Sequence, residues 1–174
     1  MTRIEKTQAL IENCISEMSV DEKEIYRQIA DFAVELGYTP KPIKTAQGIS
    51  NKLSFKKAKI SRTLLKINPC HQNQKLALVF YATPTYSDVF QEGIKRVIEE
   101  FGGRYTGCYS KCKRKCDKPQ GYTYVYPDGK TVFRCGGEYI ELSLIKAEHV
   151  NEIKSMMKAQ DDFWLNQLSN KETL

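Results

Sequence analysis

Four of the six cysteines fall between positions 108 and 135, spaced C-x3-C-x3-C and then, after eighteen intervening residues, a last one: Cys108, Cys112, Cys116 and Cys135. A chain that brings these sulfurs together has few ways to run. On a straight helix, residues eight apart are separated by ~12 Å along the axis at 1.5 Å rise per residue, so the first three can act jointly only if the segment turns. Gly107 and Pro119 interrupt it suitably. After Cys116 comes the alternating run YTYVY, the reversal signal Pro127, Asp128, Gly129, and a return run KTVFRC. This predicts a hairpin with its turn near midway, which carries Cys135 back beside Cys116.

Thiols read as ligands before they read as disulfides in a reducing compartment. The N-terminal MTRIEKTQALIENCISEM is too polar and acidic for the apolar core of a signal peptide, and no run of eighteen apolar residues occurs. A cytoplasmic protein with no membrane partner is expected. There, four thiolates close a tetrahedral Zn²⁺ site with Zn–S distances of ~2.3 Å, in a loop and hairpin spanning 107–137. Such a shell leaves no open position for water, so the expected role of the zinc is structural. Lys111, Lys113, Arg114, Lys115 and Lys118 lie among the ligands, where they offset the formal −2 charge and favour the thiolate form. An iron–sulfur cluster uses the same residue type, but the common ferredoxin spacings are absent. A reversible disulfide, making the loop a thiol-based redox or metal sensor, is the other reading of the same residues.

The rest of the chain reads as one domain over 1–174. Its 41% hydrophobic and 28% charged residues match a globular core with a solvated surface. Ile4, Leu10, Ile11, Cys14, Ile15 and Met18 share one stripe of an N-terminal helix over 2–18, with Cys14 behaving as a small buried hydrophobe. Ser19 with Glu22 forms a capping box for a second helix that Gly37 stops. Pro40, Pro42 and Gly48 predict an irregular connection over 38–51. Period-two alternation then predicts strands around Leu53 and Phe55, Ile60 and Leu64, and Leu76 to Phe80. A helix capped by Ser87 or Thr85 follows, with Val89, Phe90, Ile94, Val97, Ile98 and Phe101 on one face. After the hairpin, YIELSLI predicts a further strand, and a last helix starts near Ala147. The order αα-βββ-α-(Cys loop)-βββ-α has no steady βα alternation. It therefore predicts an α+β fold: a mostly antiparallel sheet of about five to six strands, with helices packed on one face.

No nucleophile elbow, P-loop, dinucleotide fingerprint or HExxH occurs, so nothing marks the chain as an enzyme and no catalytic residue is assigned. Tyr122, Tyr124 and Tyr126 fall on one side of a strand, with Phe133 on the return strand as a possible fourth member. Cross-strand packing explains such a ladder. It also offers a surface for a small ligand or, with Lys111, Lys113, Arg114 and Lys115 and the net charge of +6, for nucleic acid. The basic run KLSFKKAKISRTLLK is expected to protect a sheet edge. Cys70 and His71, adjacent in a loop, read as surface residues, and His149 as a solvated or capping one.

The order of elements, with the SF…LALVFYA stretch between Val20 and Gln167, resembles the YdhG-like group of small bacterial α+β proteins. That likeness implies the same fold class. The group carries an iron-chaperone label at times and supplies no catalytic motif to transfer, and the four-cysteine loop departs from its pattern. The expected protein is thus a small intracellular binding protein with a structural four-cysteine zinc site. Nucleic-acid binding and thiol-based sensing are the alternatives.

Overall fold

The computed structural model describes residues 2–45, 48–69, 75–83, 85–100, 120–136 and 138–172. Helix α1 (Arg3–Ile15) starts at Thr2, whose hydroxyl accepts from the Glu5 N–H while the Glu5 carboxylate accepts from the Thr2 N–H. Helix α2 (Val20–Glu35) opens on the same reciprocal cap between Ser19 and Glu22. Gly37 ends it at φ +88°, a backbone conformation that a side chain resists. The Gly37 and Tyr38 N–H groups return to the carbonyls of Val34 and Ala33.

Strands β1 (Thr39–Thr45), β2 (Gly48–Lys57), β3 (Arg62–Asn68), β4 (Lys75–Leu78) and β7 (Ile140–Leu142) form an antiparallel sheet in the order β1-β2-β3-β4-β7. Strands β5 (Gly121–Val125) and β6 (Thr131–Cys135) form a separate two-stranded sheet. Helices α3 (Asp88–Glu100) and α4 (Val150–Glu172), the latter led by a 3₁₀ turn over Ala147–His149, complete the fold. The class is α+β, as the patterning implies.

Register explains which sheet face is covered. Pro40, Phe55, Leu65, Leu78 and Ile140 align across the strands, as do Leu53, Ile67, Leu76 and Leu142, and these side chains form the core with Ile11, Ile29, Ile94 and Met157 of the helices. The opposite face carries the row Lys41, Ser54, Lys66, Ala77 and Glu141. Two sequence expectations change here. The described residues of the stretch 38–51 are not irregular: Thr39–Thr45 form β1 and β2 begins at Gly48, and β1 is an edge strand whose prolines sit where the missing N–H faces away from the ladder. The basic run is not an edge either: it spans the interior strands β2 and β3 and the turn between them, with Lys66 on the face opposite the core rows and Lys57 turned to Asp161 of α4. The predicted βββ unit after the cysteine loop also divides, since β7 occupies the edge of β4 and leaves the β5–β6 hairpin to pack through its side chains.

Ser87 does less capping than expected. Its carbonyl accepts from the Phe90 and Gln91 N–H groups, but its hydroxyl donates to Glu152 of α4 at 2.8 Å, tying the start of α3 to the last helix. No helix among the described residues is long and apolar enough to cross a membrane.

Cys14 is buried at 1% exposure, and desolvation pushes its thiol up from 9.0 to about 12. Because the folded thiol holds its proton more tightly, its contribution is complete below the unfolded value and disappears as pH rises from 9.0 toward 12. The unfolding free energy from urea titration should therefore fall over that window, by up to about 1.4 kcal/mol per pH unit from this group. The slope should be shallower in Cys14→Ala, and an unchanged slope would contradict the assignment.

Candidate functional site

The β5–β6 hairpin closes as its sequence dictates. Gly129 adopts φ +83°, its N–H donates to the Tyr126 carbonyl at 2.9 Å, and the Asp128 carboxylate accepts from the Lys130 N–H at 2.9 Å. Pairing then sets Tyr122 opposite Arg134, Tyr124 opposite Val132 and Gly121 opposite Cys135. One face therefore carries Tyr122, Tyr124, Val132 and Arg134, and the other carries Thr123, Phe133 and Cys135.

The tyrosine face points inward. Tyr122 is 1% exposed, its ring lies edge-on to Phe80 at 5.2 Å and to Tyr81 at 6.1 Å, and its hydroxyl accepts from the Phe80 N–H at 3.1 Å. The reading of Tyr122 as a ligand or nucleic-acid contact is corrected by this burial, since its ring has no free face to offer. Tyr124 and Tyr126 remain half-buried, edge to face at 4.8 Å, with Lys130 above Tyr126. Phe133 does not join them, because pairing with Thr123 turns it to the other side. Arg134 is buried at 2% between the hairpin and α3. There it donates to the Val97 carbonyl and faces Glu138 at 3.6 Å.

Of the four proposed ligands, Cys135 is a partly exposed free thiol at the end of β6. Cys108, Cys112 and Cys116 lie outside the described residues, as do Lys111, Lys113, Arg114, Lys115, Cys70 and His71. Among the described residues no three acidic, histidine or cysteine side chains gather as a metal site. Beside Cys135, the Gly136 N–H donates to the Gln120 carbonyl at 2.7 Å, which fastens the hairpin end to the residue where the described chain resumes. His149 accepts from the Lys146 N–H at 3.1 Å and caps the 3₁₀ turn, as expected of it.

A second feature joins residues far apart in the chain. Ile60, Ser61, Arg62, Thr63, Val79, Gly136, Tyr139 and Trp164 line a polar groove of about 400 Å³, in the size range of small-molecule sites. The Arg62 guanidinium lies over the Trp164 ring at 5.5 Å, and the Lys66 ammonium over the Tyr139 ring at 3.9 Å. Both rings are fixed by their polar ends: the Trp164 indole N–H donates to the Tyr81 hydroxyl at 2.9 Å, and the Tyr139 hydroxyl donates to the Thr63 carbonyl at 3.2 Å. Gly136 forms part of the wall because a methyl there would stand 2.3 Å from the Tyr81 ring. Sequence reading passed over this groove, as its parts come from β3, the turn after β6 and α4. The usable signals were the single tryptophan and an arginine directly after a turn.

Close by, Asp161 is 3% exposed and accepts from Lys57 Nζ at 2.8 and 2.9 Å and from the Tyr38 hydroxyl at 2.8 Å. Burial and the Asp161 carboxylate together hold the Tyr38 hydroxyl well above its ordinary range. Held in this way, the carboxylate joins α4 to β2 and to the end of α2.

Comparison with family models, with curated proteins and with solved structures finds no match for this chain.

Proposed function

We propose that the chain is a small intracellular binding protein whose cysteine loop is closed by one structural zinc held by Cys108, Cys112, Cys116 and Cys135. The observation that carries this reading is the position of Cys135. Its partly exposed thiol ends β6 on the outer face of the hairpin, paired with Gly121 and next to the Gly136–Gln120 hydrogen bond. Cys116 precedes Gln120 by four residues in the sequence. Four residues span at most ~14 Å, so chain connectivity keeps Cys116 within reach of the same end of the hairpin.

A four-thiolate zinc supplies a closed cross-link that ties the loop to the hairpin. The ligand surface belongs to the folded body beside it. Elemental analysis and native mass of the purified protein should give one zinc per chain, and each single Cys→Ser change among the four should lower that occupancy. Absence of zinc, with the four thiols free or bridged in pairs, would sink the reading.

A further inference from the structure

We infer that the groove between the start of β3, the turn after β6 and the middle of α4 binds a small organic anion, one bearing a phosphate or a carboxylate. This rests on the binding-protein part of the reading above and is independent of the zinc.

Arg62 lines the groove and Lys66 lies next to its wall over the Tyr139 ring, and among the described residues no carboxylate pairs with either. Neither Arg62 nor Lys66 has an ion-pair partner or side-chain hydrogen bond among the described residues; each meets only an aromatic ring. The contrast with the surrounding charges is specific. Lys57 is spent on Asp161, Lys75 meets Glu141 at 2.6 Å, and Arg27 is bidentate on Glu12. A guanidinium lying against an indole keeps its edge N–H groups available in a planar fork. That geometry suits two oxygens of a carboxylate or phosphate.

Preorganisation points the same way. The Trp164 indole beneath Arg62 is 2% exposed and hydrogen-bonded, so the cation rests on a fixed support. The Tyr139 hydroxyl is likewise held by Thr63. The acidic side chain nearest in sequence to Trp164 on the buried side of α4 is Asp161, which is already neutralised. An anion entering the groove therefore gains the attraction of Arg62, with Lys66 beside the Tyr139 wall adding to it, without displacing an internal salt bridge. The apolar walls, Ile60, Val79 and Tyr139, provide room for the remainder of a small molecule.

Trp164 is the only tryptophan, so its indole N–H gives a single nuclear-magnetic-resonance signal located in the groove. The titration uses phenyl phosphate and benzoate, at low ionic strength, against the full chain. Saturable movement of that signal is expected with at least one of them, weakened about tenfold or more in Arg62→Gln, as befits loss of a charge-assisted hydrogen-bonded pair. Arg62→Lys should fall between the two, keeping charge but losing the fork. Lys41→Gln, on the far edge strand, should bind as the parent does. Preference for phenyl phosphate assigns a phosphate ligand, and the reverse preference a carboxylate. The inference is overturned if neither anion gives saturation, if chloride at equal concentration reproduces the shift, or if Arg62→Gln binds like the parent. Zinc content plays no part in this readout, so failure here and failure of the metal reading are separable.

Discussion

Asp161→Ala should lower the unfolding free energy by about 3–5 kcal/mol, the range found when one partner of a buried ion pair is removed. The side chains involved leave little room for water to compensate. Asp161 is 3% exposed and Tyr38 1%, and the Lys57 side chain retains only 15%. Deleting the carboxylate strands an ammonium and a hydroxyl that together donate to it at 2.8 to 2.9 Å. The expected loss is thus mostly the cost of an uncompensated buried charge. Pairing the change with Lys57→Met should recover much of it, since the remaining polar group is then a single hydroxyl. Urea denaturation of both variants decides the matter. A loss below about 1 kcal/mol for Asp161→Ala would show that water reaches the pair.

Gly121→Ala is the second large effect, and it bears on the site. A methyl at this position would lie 1.9 Å from the Arg134 carbonyl oxygen and 2.8 Å from the Gly136 nitrogen. Both are backbone atoms of the paired strand and the turn after it, so no side-chain rotation relieves the overlap. Overpacking of this kind costs about 3 kcal/mol, through separation of the strand ends. Cys135 sits directly opposite Gly121. The same variant should therefore lose zinc along with stability, whereas Thr123→Ala, exposed on the same strand, should change stability by less than about 0.5 kcal/mol. Retained stability in Gly121→Ala would mean the hairpin end can open without consequence.

Local signals in the sequence proved dependable where one residue type satisfies one backbone demand. Ser19 with Glu22, Gly37 at positive φ, and Pro127-Asp128-Gly129 each form the cap or turn their chemistry dictates. Period-two alternation found the core faces of β2 and β4, because a half-covered sheet shows its burial in alternate residues, but for β3 it chose Ile60 and Leu64, whereas Ile60 lies in the preceding turn and register puts Leu65 and Ile67 in the core rows. Pro40 and Pro42 misled, since a proline excludes an interior strand but not an edge one. Tyrosine patterning showed that three rings share a side of the hairpin. It could not show that this side faces Phe80 and α3, because packing between separate sheets leaves no periodic mark.

The candidate sites divide along the same line. Clustered cysteines are visible in one dimension. The Arg62, Trp164 and Tyr139 groove brings together residues separated by more than a hundred positions, with nothing in their spacing to announce it. The Lys57–Asp161–Tyr38 cluster was equally hidden, for Asp161 reads in sequence as one more acidic residue on a helix surface.

X-ray absorption at the zinc edge of the purified protein addresses the metal reading most directly, because it counts the atoms bound to the ion. Four sulfur neighbours at about 2.3 Å, with no nitrogen or oxygen in the coordination shell, is the expected spectrum. A shell containing light-atom ligands, or a preparation with no zinc to measure, would contradict a loop closed by Cys108, Cys112, Cys116 and Cys135.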